Sequence, residues 1–225
     1  YNQTHFEITD NTTWYFKGLY NERESTNQAA PEPIFLGPEA GTGNAYADNI
    51  FISRTNPYNP FGIDFISTGP DANLIFFGRR PIEGGARVFN QEVDTWYIAT
   101  GFEGNFDLGA RKLYWDLNYA NSQNKAEQTN YGSYNIRRIA QALGPVDACN
   151  ADPNCVPLNY FGGQGAGGGT ITPEMLAYIQ PIIRDSSEQE LELYSANLTG
   201  DLFELPAGAL AFAAGYESRE DSGAY

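Results

Sequence analysis

The residues able to do chemistry fall in small groups along this chain, and each group favours binding over covalent work. Glu188, Glu190 and Glu192 recur at every second position, and paired carboxylates are the acid–base equipment of glycoside hydrolysis. At period two they share one face of a strand, where they read as a solvated rim. Asp147, Asn150, Asp152 and Asn154 offer oxygens of the kind calcium takes, but their spacing is not that of an EF-hand loop, and turn formation explains them. The single histidine, His5, rules out a histidine-rich metal site. No G-x-S-x-G elbow is present, and Ser, Cys and His form no nucleophile–base set. The run GGQGAGGG at 162–169 has the composition of a phosphate cradle without the Lys-Ser/Thr that should follow, and it reads as flexible or close-packed loop. Neither an enzyme activity nor a cofactor or bound metal is expected.

What remains is recognition chemistry. Arg54, Arg79 and Arg80, and further on Arg137 and Arg138, would grip an anionic ligand through charge-assisted bonds, or pair loop to loop and with lipopolysaccharide. Tyr58, Phe61 and Tyr160 would stack on sugar rings, or pack the loops together.

The elements that must position these groups show best in Asp94–Asn124, which reads as two strands folded back on each other. Trp96, Ile98, Thr100 and Phe102 alternate with Tyr97, Ala99, Gly101 and Glu103. In the second arm Leu113, Trp115, Leu117 and Tyr119 alternate with Tyr114, Asp116, Asn118, Ala120 and Ser122, and Asp107–Ala110 supplies the turn. A tilted strand crossing a bilayer needs roughly nine to eleven residues, and each arm keeps its alternation over about that length. The aromatics lie toward the strand ends, where headgroups would be. A long hairpin in a soluble sandwich would carry the same two faces.

Composition narrows the classes. A net charge of -15 makes nucleic acid and anionic headgroups poor partners. Aromatic residues make up 14% of the chain, against one Met and two Cys, and no run of about eighteen apolar residues signals a membrane helix. Alternating barrel strands escape that test because lumen residues dilute their hydropathy. Cys149 and Cys155 bracket NADPN, a turn-rich stretch, so they are expected to close a small disulfide loop in an oxidising compartment; a pair of free thiols is the other reading.

In chain order, Thr4–Ile8 is a strand end followed by a turn at Asp10 and Asn11, then Trp14, Phe16, Gly18 and Tyr20 form the next arm. A long loop of about sixty residues, near 25–87, precedes the hairpin, and a second, near 125–187, follows it. The second loop is expected to hold two helices, Tyr134–Leu143 and one capped by Thr172 with Pro173 in its first turn. Strands return from Gln189, where Tyr194, Ala196, Leu198, Gly200 and Leu202 face away from Ser195, Asn197, Thr199 and Asp201. After a turn at Pro206–Gly208 the last arm sets Leu210, Phe212, Ala214 and Tyr216 against Ala211, Ala213, Gly215, Glu217 and Arg219. Short turns alternating with long loops are the asymmetry of outer-membrane barrels, whose turns are periplasmic and whose loops are extracellular. The fold expected is therefore all-β: a transmembrane antiparallel β-barrel segment with two long extracellular loops carrying short helices. On that reading the apolar faces meet lipid, and the lumen-facing candidates are Tyr97, Glu103, Tyr114, Asp116, Asn118, Asn197, Asp201, Glu217 and Arg219.

The stretch CVPLNYFGGQGAGGGTITPEMLAYI, then GDLFELPAGALAFAAGYESRED, with NQAAPEPIF and NPYNPFG earlier, resembles the barrel of bacterial TonB-dependent outer-membrane receptors. These are loop and turn sequences, so they point to a family and not to a substrate. The resemblance implies about six strands of a roughly 22-stranded barrel. It also implies a bacterial outer-membrane location and import of a scarce nutrient, such as an iron chelate, cobalamin or an oligosaccharide, with energy delivered by TonB. The expected partners are the nutrient, outer-membrane lipid and lipopolysaccharide, and TonB through a missing N-terminal region. The plug, the TonB-contacting segment and the closing strand have no counterpart in these residues, so the intact protein is expected to be several times longer. The alternative is a secreted β-sandwich that binds carbohydrate on a platform of Trp and Tyr.

Overall fold

The structure, a computed structural model, describes residues 1–163 and 169–225. Six antiparallel strands dominate it: β1 (Asn2–Thr9), β2 (Thr12–Ala29), β7 (Arg87–Leu108), β8 (Arg111–Tyr131), β9 (Ile183–Leu205) and β10 (Gly208–Ala224). They form one sheet in the order β1-β2-β7-β8-β9-β10, each long strand beside the next in sequence, and the sheet is open, with β1 and β10 at its edges. Between β2 and β7 lie β3 (Ile34–Leu36), α1 (Ala45–Asp48), β4 (Phe51–Ile52), β5 (Phe65–Ile66) and β6 (Phe77–Arg79). Between β8 and β9 lie α2 (Ile136–Leu143), α3 (Val146–Asn150) and α4 (Pro173–Ile179). No helix among the described residues is long and apolar enough to cross a membrane.

The turns are as tight as the alternation required, and two of them are shorter than expected. Asp10 and Asn11 join β1 to β2, Gly109 and Ala110 join β7 to β8, and Pro206 and Ala207 join β9 to β10. At Gly109 the backbone has φ +66°, a left-handed conformation that a residue without Cβ enters at little cost. Registers preserve the two faces: Phe6 pairs with Trp14 and His5 with Tyr15, while Ala196 pairs with Tyr216 and Asn197 with Gly215.

The strands are longer than the sequence indicated. β2, β7, β8, β9 and β10 run 18, 22, 21, 23 and 17 residues, so the intervening segments shrink to 30–86 and 132–182 from the 25–87 and 125–187 expected. The extra residues, such as Lys125–Tyr131 and Ile183–Glu188, lack apolar alternation. Ladder pairing satisfies their backbone groups without needing it.

The chain divides into two compact units, the first holding Tyr1–Ser25, Gln91–Gln128 and Asp185–Tyr225, the second Thr26–Asn90 and Thr129–Arg184. In the first unit the sheet exposes large apolar side chains along one face, including Phe6 at 63%, Leu117 at 49% and Tyr216 at 67%. The second unit has a core of its own. Ile34 and Leu36 of β3, Ile52 of β4, Ile139 and Leu143 of α2, and Met175 and Ile179 of α4 are sealed from solvent and pack together. The described residues of both interstrand segments meet in that core, each segment contributing one side of a shared apolar interior.

Helix boundaries follow local chemistry. Thr172 caps α4, its Oγ1 accepting from the Met175 amide at 3.4 Å, with Pro173 in the first turn as expected. α2 begins at Ile136, not Tyr134, because Asn135 caps it by accepting from the Arg138 amide at 3.1 Å. α3 had no visible apolar period; a five-residue helix after Pro145 is too short to show one.

Candidate functional site

In the first unit the polar face of the sheet is knitted by side chains from three strands. Asn118 of β8 accepts a short hydrogen bond from the Tyr15 hydroxyl of β2 and donates to Ser195 Oγ of β9 at 3.1 Å. Its amide also donates to Asp116 at 2.5 Å, and Asn197 donates to the same Asp116 oxygen at 2.7 Å. Tyr15 must cross β7 to do this. Gly101 of β7 makes it possible, since a Cβ there would lie 2.8 Å from the Tyr15 hydroxyl oxygen and closer still to the Leu117 carbonyl. Asp116, Asn118 and Asn197 were expected on this face and are brought together; Tyr15 and Ser195 complete the network, and their place in the same alternating stripes was the signal for them.

The other lumen-facing candidates are less connected. Tyr97 and Glu103 flank Gly101 in alternation on β7, and Asp201 and Glu217 lie opposite Ala211 and Ser195 in the β9–β10 register. Arg219 is committed to Asp221 at 2.7 Å. Glu103, Tyr114 and Asp116 border a recess of about 370 Å³ together with Asp10 and Asn11. The carboxylates of Glu188, Glu190 and Glu192 point the other way, toward the apolar-face residues. Gln123 donates to Glu188 at 2.5 Å and Glu190 at 3.0 Å, and the Tyr119 and Tyr194 hydroxyls donate to Glu192 at 3.3 and 2.8 Å. His5 shares a hydrogen bond with Gln3 at 2.8 Å on the polar face.

In the second unit two of the loop candidates are corrected by burial. Tyr160 is 1% exposed, its ring edge-on to Phe77 at 4.6 Å between centroids and its hydroxyl donating to the Ile34 and Phe77 carbonyls at 2.9 and 3.2 Å. It has no face left for a sugar. Burial pushes its hydroxyl pKa well above the ordinary phenol value. Arg79 is likewise interior: it pairs with Glu83 at 2.5 Å, with 6% and 8% of the two side chains exposed. It also donates to the Asn159 and Tyr160 carbonyls at 2.9 and 3.1 Å. A guanidinium so engaged ties loop to loop and does not meet a ligand. Close by, burial and then the Glu83 and Glu32 carboxylates push Tyr134 up to about 12.

The remaining loop candidates stay at the surface. Arg54 forms an ion pair with Asp64 at 2.9 Å, Arg80 and Tyr58 are exposed, and Phe61, though 63% exposed, packs edge-on to Phe65 and Phe161. Of the glycine-rich run, residues 164–168 lie outside the described residues. Its flanks are close-packed, since a Cβ at Gly169 would collide with the Glu83 side chain.

Cys149 and Cys155 form the expected disulfide. Asp152, inside that ring, accepts from the Asn154 amide and from Gln141 Nε2 of α2, both at 3.0 Å, and these bonds hold its carboxyl below the usual range. Gln141 in turn accepts from the Tyr178 hydroxyl of α4 at 2.8 Å, and burial raises that hydroxyl's pKa. The chain of bonds links both helices to the disulfide ring. It borders a surface cleft of about 700 Å³, also lined by Arg137, Arg138, Asn154 and Glu174. Arg137 and Arg138 were visible in the sequence; Gln141, Glu174 and Tyr178 were not, because only the packing of α2 on α4 turns their polar sides to one place. No group of three or more His, Cys, Asp or Glu able to hold a metal occurs among the described residues. Comparison of the chain with protein-family models, with curated proteins and with solved structures finds no significant match.

Proposed function

We propose that this chain is part of the β-barrel of a bacterial outer-membrane receptor. The receptor binds a scarce nutrient, an iron chelate, cobalamin or an oligosaccharide, and imports it with energy delivered by TonB. One observation carries the reading: a meander of strands, most of them 17 residues or longer, with an exposed apolar face on one side and a hydrogen-bonded polar face on the other. In water such a face is a liability, because soluble proteins rarely leave contiguous apolar patches of that kind open. Against lipid tails it is the required solution, and the polar face then belongs to the lumen.

A further feature supports the reading: two-residue turns alternate with interstrand segments of more than fifty residues, the asymmetry expected where short turns face the periplasm and long loops face outward. The sandwich reading needs a second sheet over the apolar face. The other described sheets are two-stranded ribbons with strands of two or three residues, too small for that cover.

The test is a denaturing gel of the protein from its native membrane, boiled and unboiled, with peptides of this sequence identified in the band. A band that migrates faster unboiled supports a closed barrel. A detergent-free species without a heat shift contradicts it and favours the carbohydrate-binding sandwich.

A further inference from the structure

The cleft between α2, α4 and the disulfide ring has the size of a ligand pocket, about 700 Å³ against the roughly 300–1,000 Å³ such sites occupy. Its charges decide what it would take. Arg138 is committed: its guanidinium donates to the Tyr178 carbonyl at 2.9 Å and lies over the Tyr178 ring, 5.5 Å from the centroid. Asp152 is committed to Gln141 and Asn154. Glu174, in the first turn of α4, takes a hydrogen bond from Thr172 that holds its carboxyl below the usual range, so it stays ionised and able to accept. Arg137 is exposed on the rim of the cleft and has no hydrogen-bond or ion-pair partner among the described residues.

The geometry points to a binding site for a hydroxylated ligand carrying one carboxylate, of the sugar-acid class. Arg137 supplies one uncommitted positive charge in a planar fork that matches a carboxylate. A phosphate dianion would bring a second negative charge beside Asp152 and Glu174, whose carboxylates repel it. The Glu174 carboxylate, and the acceptor positions that Asp152 keeps beyond its two bonds, suit hydroxyl groups, which donate to them. The disulfide has a part in the site as well, because Asp152 and Asn154 lie within the ring that it closes. The site deepens the receptor reading, and rests on it for its physiological role.

The experiment is calorimetric titration of the intact, detergent-solubilised protein with glucuronosyl-xylobiose, which has one carboxylate on three sugar rings, and with neutral xylotriose. The acidic sugar is expected to bind at least about tenfold more tightly, the worth of one charge-assisted hydrogen bond. Arg137→Gln should erase that difference without altering the binding of xylotriose, and Glu174→Gln should weaken both sugars. Equal affinity for the two sugars, binding of neither, a preference that survives Arg137→Gln, or inorganic phosphate competing at the same concentration as the acidic sugar would overturn the assignment. The heat shift of the same sample keeps the two ideas apart: lost binding with the shift intact refutes the cleft alone, whereas absence of the shift refutes the barrel.

Discussion

Replacing Arg79 with Met tests whether the second unit is held by its buried ion pair. The substitution keeps most of the side-chain volume but leaves the Glu83 carboxylate, 8% exposed, without its cation, and removes two donors from the Asn159 and Tyr160 carbonyls. Breaking one partner out of a buried pair costs about 3–5 kcal/mol, because the remaining charge has lost its water as well as its counter-ion. The double variant Arg79→Met with Glu83→Leu removes both charges and should recover most of that loss, since the attraction of a buried pair largely offsets its own desolvation. Global unfolding would report the whole protein, so the appropriate assay is amide hydrogen exchange in peptides covering Ile34–Leu36 and Leu158–Tyr160, which reads local opening. The single variant should lower protection about a hundredfold or more, and the double variant should regain it. A loss under about threefold in the single variant, or a double variant no better protected than the single, would refute the reasoning.

Two other expectations follow from the same unit. The folded pKa of Tyr134, about 12, lies above the ordinary phenol value of 10.0, so folding favours the protonated form. Its contribution is complete below pH 10 and is lost as the pH rises toward 12; protection in the second unit, taken relative to the intrinsic hydroxide-catalysed rate, should fall over that window, and Tyr134→Phe should lessen the fall, with Tyr160 and Tyr178, also raised by burial, supplying the rest. Removing the disulfide with Cys149→Ala and Cys155→Ala, which opens a loop of sequence separation 6, should destabilise the second unit by about 2–3 kcal/mol. Exchange in α2 and α4 reads this effect, and unchanged protection there would mean that the ring is not needed to hold Asp152 against Gln141.

How much the sequence disclosed depended on how local the determining force is. Period-two alternation placed Trp115 and Leu117 on one face and Asp116 and Asn118 on the other, and side-chain direction along a strand is a purely local property. The turns at Asp10, Gly109 and Pro206 and the cap at Thr172 were equally local. The closeness of Cys149 to Cys155 in a turn-rich stretch sufficed for the disulfide. Strand length was not legible, because Lys125–Tyr131 and Ile183–Glu188 are held by a backbone ladder that leaves no mark in their side chains. Nor was the fate of Arg79 and Tyr160. In the sequence they look like any loop arginine and tyrosine, and only the core formed by distant segments buries them. The cleft was half visible for the same reason: Arg137 and Arg138 stand out as adjacent cations, while Tyr178, Gln141 and Asp152 meet only when α4, α2 and the disulfide ring pack.

Whether the apolar face of the sheet meets hydrocarbon is the central question. Leu117 of β8 is on the exposed apolar face, and Thr199 of β9, similarly far from its short turn, is on the polar face beside Asn197. An arginine facing the bilayer midplane costs about 2–4 kcal/mol, whereas one facing the lumen stays hydrated. The direct measurement is the heat-modifiable, folded fraction of Leu117→Arg and of Thr199→Arg in the outer membrane. A strong loss for Leu117→Arg with Thr199→Arg close to the unaltered protein is the predicted result. Equal losses, or the reverse order, would contradict the assignment of the apolar face to lipid.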